Sequence, residues 1–223
     1  MYLVFTLLQM RKLLIIVLSY FPLITIAQVK TGVRGGINLA QFVYRPAYDG
    51  DTKGKGSLLF RFNAGLQLEV PLNDEDNWFL YTGPFYSGKG NRIRAKHRTP
   101  VFDTITTYLN YVELPVLAAY KFYTGKNNRL VAAAGPYIAY GFKGKQITAN
   151  SPGRNKRNLH RSDSYYKRLD WGFAVSGMME HNNKIGIRFD YTRSIADISR
   201  NKWKYTNNVF GFSLFWYLSK KEK

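Results

Sequence analysis

The chain has no cysteine, 14 acidic residues against 33 basic ones, and three histidines, His97, His160 and His181, that lie far apart in sequence. Without cysteine there is no disulfide framework, no thiolate chemistry and no lipid-anchored N-terminal Cys. The scattered histidines offer no local metal-ligand spacing, so neither a metal nor a cofactor is expected. Runs of about 20 apolar residues, which a bundle of membrane helices would need several times over, are also missing. The shortage of acid leaves a net charge of +19 at pH 7. In a soluble protein that charge would point first to nucleic acid, so its distribution matters. At 223 residues the chain suffices for one domain with a substantial core.

The N-terminus reads as a processed segment. Arg11 and Lys12 precede an apolar run from Leu13 to Ile26 that is interrupted by Pro22 and ends in small residues before Gln28. This is the pattern of a secretory signal peptide over residues 1–27, cleaved after Ala27, with residues 28–223 as the exported domain. Met10, directly before Arg11-Lys12, is the more conventional start, which sets residues 1–9 aside.

What is abundant is alternation. From Ser57 to Leu72 the even positions are Leu58, Phe60, Phe62, Ala64, Leu66, Leu68, Val70 and Leu72, while the odd ones include Arg61, Asn63, Gly65, Gln67 and Glu69. A strand with two unlike faces and this length exceeds the usual globular strand and approaches what a tilted strand needs to cross a hydrocarbon layer. The pattern recurs in eight segments, about 29–42, 57–72, 78–88, 104–122, 129–142, 168–180, 185–194 and 207–218. The faces of the third segment are ambiguous.

The connections sort by length. Short turns rich in Asn, Asp and Gly (73–77, 124–128 and 181–184) alternate with long connections at 43–56, 89–103, 143–167 and 195–206. That asymmetry predicts an all-β, eight-stranded antiparallel up-and-down transmembrane barrel, with short periplasmic turns, both termini periplasmic and the long loops extracellular. A soluble barrel would show the same alternation turned inside out. The small residues Gly32, Gly36, Ala40, Gly65, Ala133, Gly135, Gly172, Ala174 and Ser176 share the face that carries the charges, which suits a crowded interior. Aromatic residues on the other face collect near the strand ends, with Tyr86, Tyr108, Tyr140, Trp171 and Tyr191 at one level and Trp78, Phe122 and Trp216 at the other, like two interfacial girdles. Pro115 and Pro136 fall within strands, where each removes a ladder hydrogen bond, so a bulge or altered register is expected at one of them.

Two sets of polar residues stand out. The inward set comprises Lys30, Arg34, Arg61, Glu69, Glu113, Lys121, Asp170, Glu180, Arg188 and Asp190. Eight strands leave a lumen only wide enough for side chains, so these are expected to form a salt-bridged plug, and nothing in their spacing selects a catalytic acid–base pair. The second set crowds the long connections: Lys89, Arg92, Arg94, Lys96 and Arg98; then Lys143, Lys145, Arg154, Lys156, Arg157, Arg161, Lys167 and Arg168; then Arg200, Lys202 and Lys204. Of these, Arg92, Arg94, Lys96, Arg98, Arg154, Lys156, Arg157 and Arg161 are candidates for contact with lipopolysaccharide phosphates or another anionic polymer, and a solvated basic rim is the plain alternative. Facing outwards, they make nucleic acid an improbable partner. An enzyme acting on lipid A would need a Ser/His/acid constellation at the rim, and His97, His160, Ser151, Ser162 and Ser164 show no motif that pairs them.

The stretches Gly32-Val33-Arg34-Gly35-Gly36-Ile37-Asn38, Tyr86-Ser87-Gly88-Lys89-Gly90, Leu109-Asn110-Tyr111-Val112-Glu113-Leu114-Pro115, Ala134-Gly135-Pro136-Tyr137, and Asp170-Trp171-Gly172-Phe173 followed by Asp190-Tyr191-Thr192 resemble the recurrent strand motifs of the PorT-like outer-membrane β-barrel family. The resemblance spans essentially the whole exported domain. It implies an eight-stranded barrel in the outer membrane, with prolines in its strands, inserted by the barrel-assembly machinery. Some relatives are associated with protein secretion, but no functional residues carry over. One departure is the overhang Ser219 to Lys223 after Phe215-Trp216-Tyr217-Leu218, where such barrels commonly finish on an aromatic residue. The expectation is therefore a non-enzymatic structural, surface-interaction or secretion-associated barrel, with a narrow porin for small solutes as the alternative. Outer-membrane lipids, lipopolysaccharide and secretion-system proteins are its expected partners.

Overall fold

A computed structural model of the chain describes residues 29–45, 54–96, 102–150, 153–159, 166–200 and 204–218. The signal segment and its cleavage point lie outside them, as does the C-terminal overhang. The wall is built from β1 (Lys30–Arg45), β2 (Leu59–Pro71), β3 (Trp78–Thr82 and Phe85–Lys96), β4 (Phe102–Pro115 and Leu117–Tyr123), β5 (Asn128–Asn150), β6 (Leu169–His181), β7 (Ile185–Ser194) and β8 (Lys204–Tyr217). Each strand pairs antiparallel with the next. The circle closes where β8 returns to β1, in register from Gly32↔Tyr217 to Arg45↔Lys204. Among the described residues every wall strand thus has a neighbour on both sides, as strands surrounded by hydrocarbon require.

Alternation places the faces as the sequence predicts. Phe62 is 63% exposed and its neighbour Asn63 only 4%, so even positions of β2 look away from the axis. The ambiguous third strand resolves with its odd residues inward: Phe79, Tyr81, Phe85, Ser87, Lys89 and Asn91 are buried. The outward apolar series of β5, Leu130 to Phe142, extends about 40 Å along the strand and about 30 Å along the axis once a tilt of roughly 40° is allowed for. Aromatic pairs flank this belt, with Trp78 against Tyr120 at 5.1 Å and Tyr120 against Phe122 at 4.8 Å near the short turns, and Tyr191 against Phe210 at 4.9 Å towards the long loops.

The interior is crowded, and glycine is what permits it. A Cβ on Gly36 would come within 2.0 Å of the Phe212 carbonyl oxygen, and one on Gly135 within 2.1 Å of that of Val116. At the short-turn end, Asn182 and Asn183 adopt φ of 51° and 57°, the pair of left-handed residues that a type I′ hairpin needs.

The prolines do not shift the register. Pro115 and Pro84 lie in one gap shared by β3 and β4, and the pairing is the same on either side of it, with Tyr81↔Leu117 below and Phe85↔Glu113 above. Pro136, facing outwards on β5, stays in step with Phe173. The bulge sits elsewhere, on β5 at Phe142, where Asn110↔Lys143 gives way to Tyr111↔Gly141. Proline removes a donor without adding a residue, so it interrupts a ladder, whereas a bulge needs the extra residue that Phe142 supplies.

Two of the long connections, 89–103 and 143–167, contain much strand. β3 and β4 run on to a connection at 97–101, β5 continues to Asn150, and the segment Gly153–Asn158 folds back antiparallel along it. Together they form a four-stranded tongue projecting beyond the apolar belt. A shorter piece, Gly54–Lys55, pairs with Val43 and Tyr44 at the same end.

Candidate functional site

Two regions collect chemistry-bearing side chains, and they have opposite character. Inside the barrel lie three tiers of ion pairs. Nearest the short turns, Lys30 meets Glu180 at 2.6 Å, while Lys121 bridges Glu180 at 3.5 Å and Glu69. Glu69 also accepts from the hydroxyls of Tyr81 at 2.7 Å and Tyr217 at 2.8 Å. In the middle tier Asp190 accepts from Arg188 at 2.8 Å and from Ser176, with Arg34 at 3.5 Å and its guanidinium stacked 3.5 Å over the Phe85 ring. In the upper tier Lys89 holds two carboxylates at once, Glu113 at 2.8 Å and Asp170 at 3.0 Å, and Asn207 donates to Asp170 at 2.8 Å.

Among the described residues, then, five interior cations (Lys30, Arg34, Lys89, Lys121, Arg188) face five carboxylates (Glu69, Glu113, Asp170, Glu180, Asp190). These buried groups balance, with the half-buried Arg129 adding a contact to Glu180 at 3.8 Å from the short-turn rim, so nearly all of the +19 excess lies outside the lumen. Charges taken out of water are tolerable only with partners and hydrogen bonds of this kind. A cavity of about 20 Å³ beside Arg34, Asn63 and Asp190 has room for one water-sized molecule and for no solute.

Above the upper tier the mouth is closed by apolar side chains. Phe42, Tyr166 and Tyr205 pack at ring separations of 5.8 to 6.2 Å, with Leu159 and Ile198 fully buried against the same core. Burial pushes the Tyr166 hydroxyl up to about 12, so it remains neutral at any ordinary pH.

Eight of the nine residues expected to form the interior network besides Lys30 are brought together, and Arg61 is the exception. Its guanidinium crosses Gly88 and donates to the outward-facing Tyr86 and Asn110 rather than to an interior carboxylate, and it lies 5.1 Å over the Tyr108 ring. Lys89 corrects the opposite way: expected in a long loop, it is fully buried in the upper tier, because β3 extends well past Gly88. The strand's uncertain phase hid it. Tyr81, Tyr217 and Gln67 were also missed, although they share parity with Glu69 or with the inward side of β8. The apolar stopper left a fainter signal, lone apolar residues in polar company at Asn158-Leu159-His160 and Asp197-Ile198-Ser199.

The tongue carries the other set. Arg154, Lys156 and Arg157 lie on the exposed segment Gly153–Asn158, and Arg92 on β3 pairs with Thr106. Arg94 and Lys96 belong to β3 by their backbone. Arg98 and Arg161 lie outside the described residues, as do His97, His160, Ser151, Ser162 and Ser164. Neither 128–150 nor 153–158 contains an acidic residue, and the one acid in the tongue portions of β3 and β4 is Asp103 on β4. Lys167 is paired, at 3.7 Å, with Asp197 near the mouth. His181 sits at the opposite end of the barrel, in contact with Asn128 at 2.7 Å.

Among solved structures the chain is similar to OprG from Pseudomonas aeruginosa, with 14% identity, 86% of this chain and 96% of that one covered and a TM-score of 0.46. It is also similar to Neisserial surface protein A (12% identity, 83% and 96% covered, TM-score 0.42) and to Ail, the attachment invasion locus protein of Yersinia pestis (14% identity, 85% and 99% covered, TM-score 0.35). No curated protein matches it. The closed eight-stranded wall, the apolar belt with its aromatic margins and the polar interior agree with the family whose description, outer membrane protein beta-barrel domain, matches residues 25–200: the chain belongs to that family and to the cell outer membrane.

Proposed function

We propose that this barrel is a non-conducting surface protein that works through its basic tongue, with the short turns and both termini in the periplasm and the tongue outside the cell. Its partner is an anionic surface polymer, in the first instance the phosphates of lipopolysaccharide. The observation that carries this reading is the contrast in charge. Every interior cation has a carboxylate partner, while the tongue strands 128–150 and 153–158 hold Lys143, Lys145, Arg154, Lys156 and Arg157 and no acid. Arginine forks suit phosphate oxygens, and exposed charges of one sign attract polyanions most strongly at low salt. Replacing Arg154, Lys156 and Arg157 by Ser should weaken binding of whole lipopolysaccharide at low salt and flatten its salt dependence. Binding unchanged by the triple replacement would remove the reading.

A secretion-associated role is the second reading, favoured by the PorT-like strand motifs. A stoichiometric partner co-purified from native outer membranes in mild detergent would support it. The filled interior and the apolar stopper weigh against a narrow porin, and the sequence has no motif that pairs His97 or His160 with a nucleophile, as a lipid A-modifying enzyme would need.

A further inference from the structure

We propose that Arg61, Lys143 and Lys145 form a site for the phosphate of a membrane-lipid head group on the outer wall of the barrel. The site is a recess of about 350 Å³ lined by these three residues with Tyr108, Asn110, Gly144 and Ile147. Its floor faces away from the axis, since Tyr108 and Asn110 continue the outward series Val112, Leu114 and Val116 of β4. The bulge on β5 breaks the alternation there, leaving Phe142 and Lys143 both exposed on the outer side, and a bulge beside a site commonly re-aims a side chain in this way.

The level is that of the head groups. Tyr86, Val112, Tyr140 and Leu169 form one cross-strand row at the upper margin of the apolar belt. Asn110 and Lys143 lie in the next outward row, and Tyr108 and Lys145 in the one beyond. Lipid phosphates occupy the zone just past an aromatic girdle.

Among the described residues these charges lack acidic partners. Arg61, Lys143 and Lys145 make no ion pair with any described carboxylate. Arg61 is nevertheless held in place, donating from one nitrogen to Asn110 and to Tyr86, whose own hydroxyl donates to Asn110 at 2.8 Å. Its buried Nε has no acceptor. Gly88 makes room for this posture, because a Cβ there would stand 3.1 Å from that nitrogen. A fixed guanidinium flanked by two lysine ammonium groups, with no acid among the lining residues and a tyrosine ring at hand, is suited to a phosphate monoester carried by an acyl-chain anchor lying along the belt below.

The proposal rests on the preceding reading only in placing the tongue end at the lipopolysaccharide-bearing leaflet. Its test uses the full exported chain refolded in a maltoside detergent, titrated with bis-phosphorylated lipid A. Lys143→Gln/Lys145→Gln, which leaves Arg61 and its hydrogen bonds intact, should bind about tenfold more weakly or worse, as loss of two charged donors implies. Lys143→Arg/Lys145→Arg should restore binding, and lipid A stripped of phosphate should bind wild type no better than the Gln variant. The preceding reading is tested separately, by Arg154→Ser/Lys156→Ser/Arg157→Ser against whole lipopolysaccharide, so that the two can fail independently. Equal binding by wild type and the Gln variant overturns the site, whatever the tongue variant does. Competition by millimolar inorganic phosphate as effective as that of lipid A also overturns it, in favour of a free-phosphate site.

Discussion

The inside of this barrel and its tongue use the same side chains to opposite ends. Lys89, fully buried, is flanked by Glu113 at 2.8 Å and Asp170 at 3.0 Å, whereas Lys156, on an exposed segment, has no acid on its own strand or on the strand beside it. In the low dielectric of the lumen an unpaired charge is expensive, so the sequence supplies carboxylates at matching heights on β2, β4, β6 and β7. In water no such penalty applies, and charge of one sign can accumulate for a partner that is not part of the chain. Whether a lysine serves the fold or a ligand is thus decided by which side of the mouth it occupies, and Lys89 and Lys156 lie on either side of that division.

The sharpest way to break the comparison is to remove one interior cation. Lys89→Met leaves Glu113 and Asp170 buried without their shared partner and should destabilise the refolded barrel by about 3–5 kcal/mol, read as a shift of the urea midpoint. Neutralising the carboxylates as well, with Glu113→Gln and Asp170→Asn, should recover much of that loss. If Lys89→Met unfolds at the wild-type midpoint, the tiers are not what holds the lumen. The outer face offers a test of the same principle from the lipid side. Phe62 lies in the row Phe62–Ile37–Phe212–Phe189 of the apolar belt, so Phe62→Arg should cost about 2–4 kcal/mol in a bilayer, and a loss below about 0.5 kcal/mol would contradict the assignment of that face. The tongue should respond least. Arg154→Ser/Lys156→Ser/Arg157→Ser removes exposed charge without burying anything and should change stability by no more than about 0.5 kcal/mol. A larger loss would mean that these residues serve the fold after all.

How far the sequence alone reaches also differs between the two regions. Strand faces were legible wherever the period of two was clean, as in β2, β6 and β8, because one face had to satisfy lipid and the other a packed lumen. β7 was placed to the residue, Ile185–Ser194. Legibility failed where that double constraint lapses. Beyond the belt both faces of β3 and β5 are polar, so their continuation into the tongue reads as loop, and Lys89 was assigned to the wrong side of the mouth, whereas β4 reads as strand from Thr104 on. Arg61 failed for another reason. Its parity points inward, but the gap over Gly88 lets a long side chain pass outward to Tyr86 and Asn110, and parity describes Cβ rather than the far end of an arginine. The prolines misled because a missing donor and an added residue are different events, and only the second shifts register.

The central claim is that the lumen is closed, filled by paired charge and sealed by Phe42, Leu159, Tyr166, Ile198 and Tyr205, so that whatever the protein does is done at its rim and outer wall. Single-channel recording in a planar lipid bilayer tests it directly. Insertion of the refolded wild-type barrel should give no stable conductance steps above the bare-bilayer baseline, and reproducible steps of defined size from the wild-type chain would contradict the account.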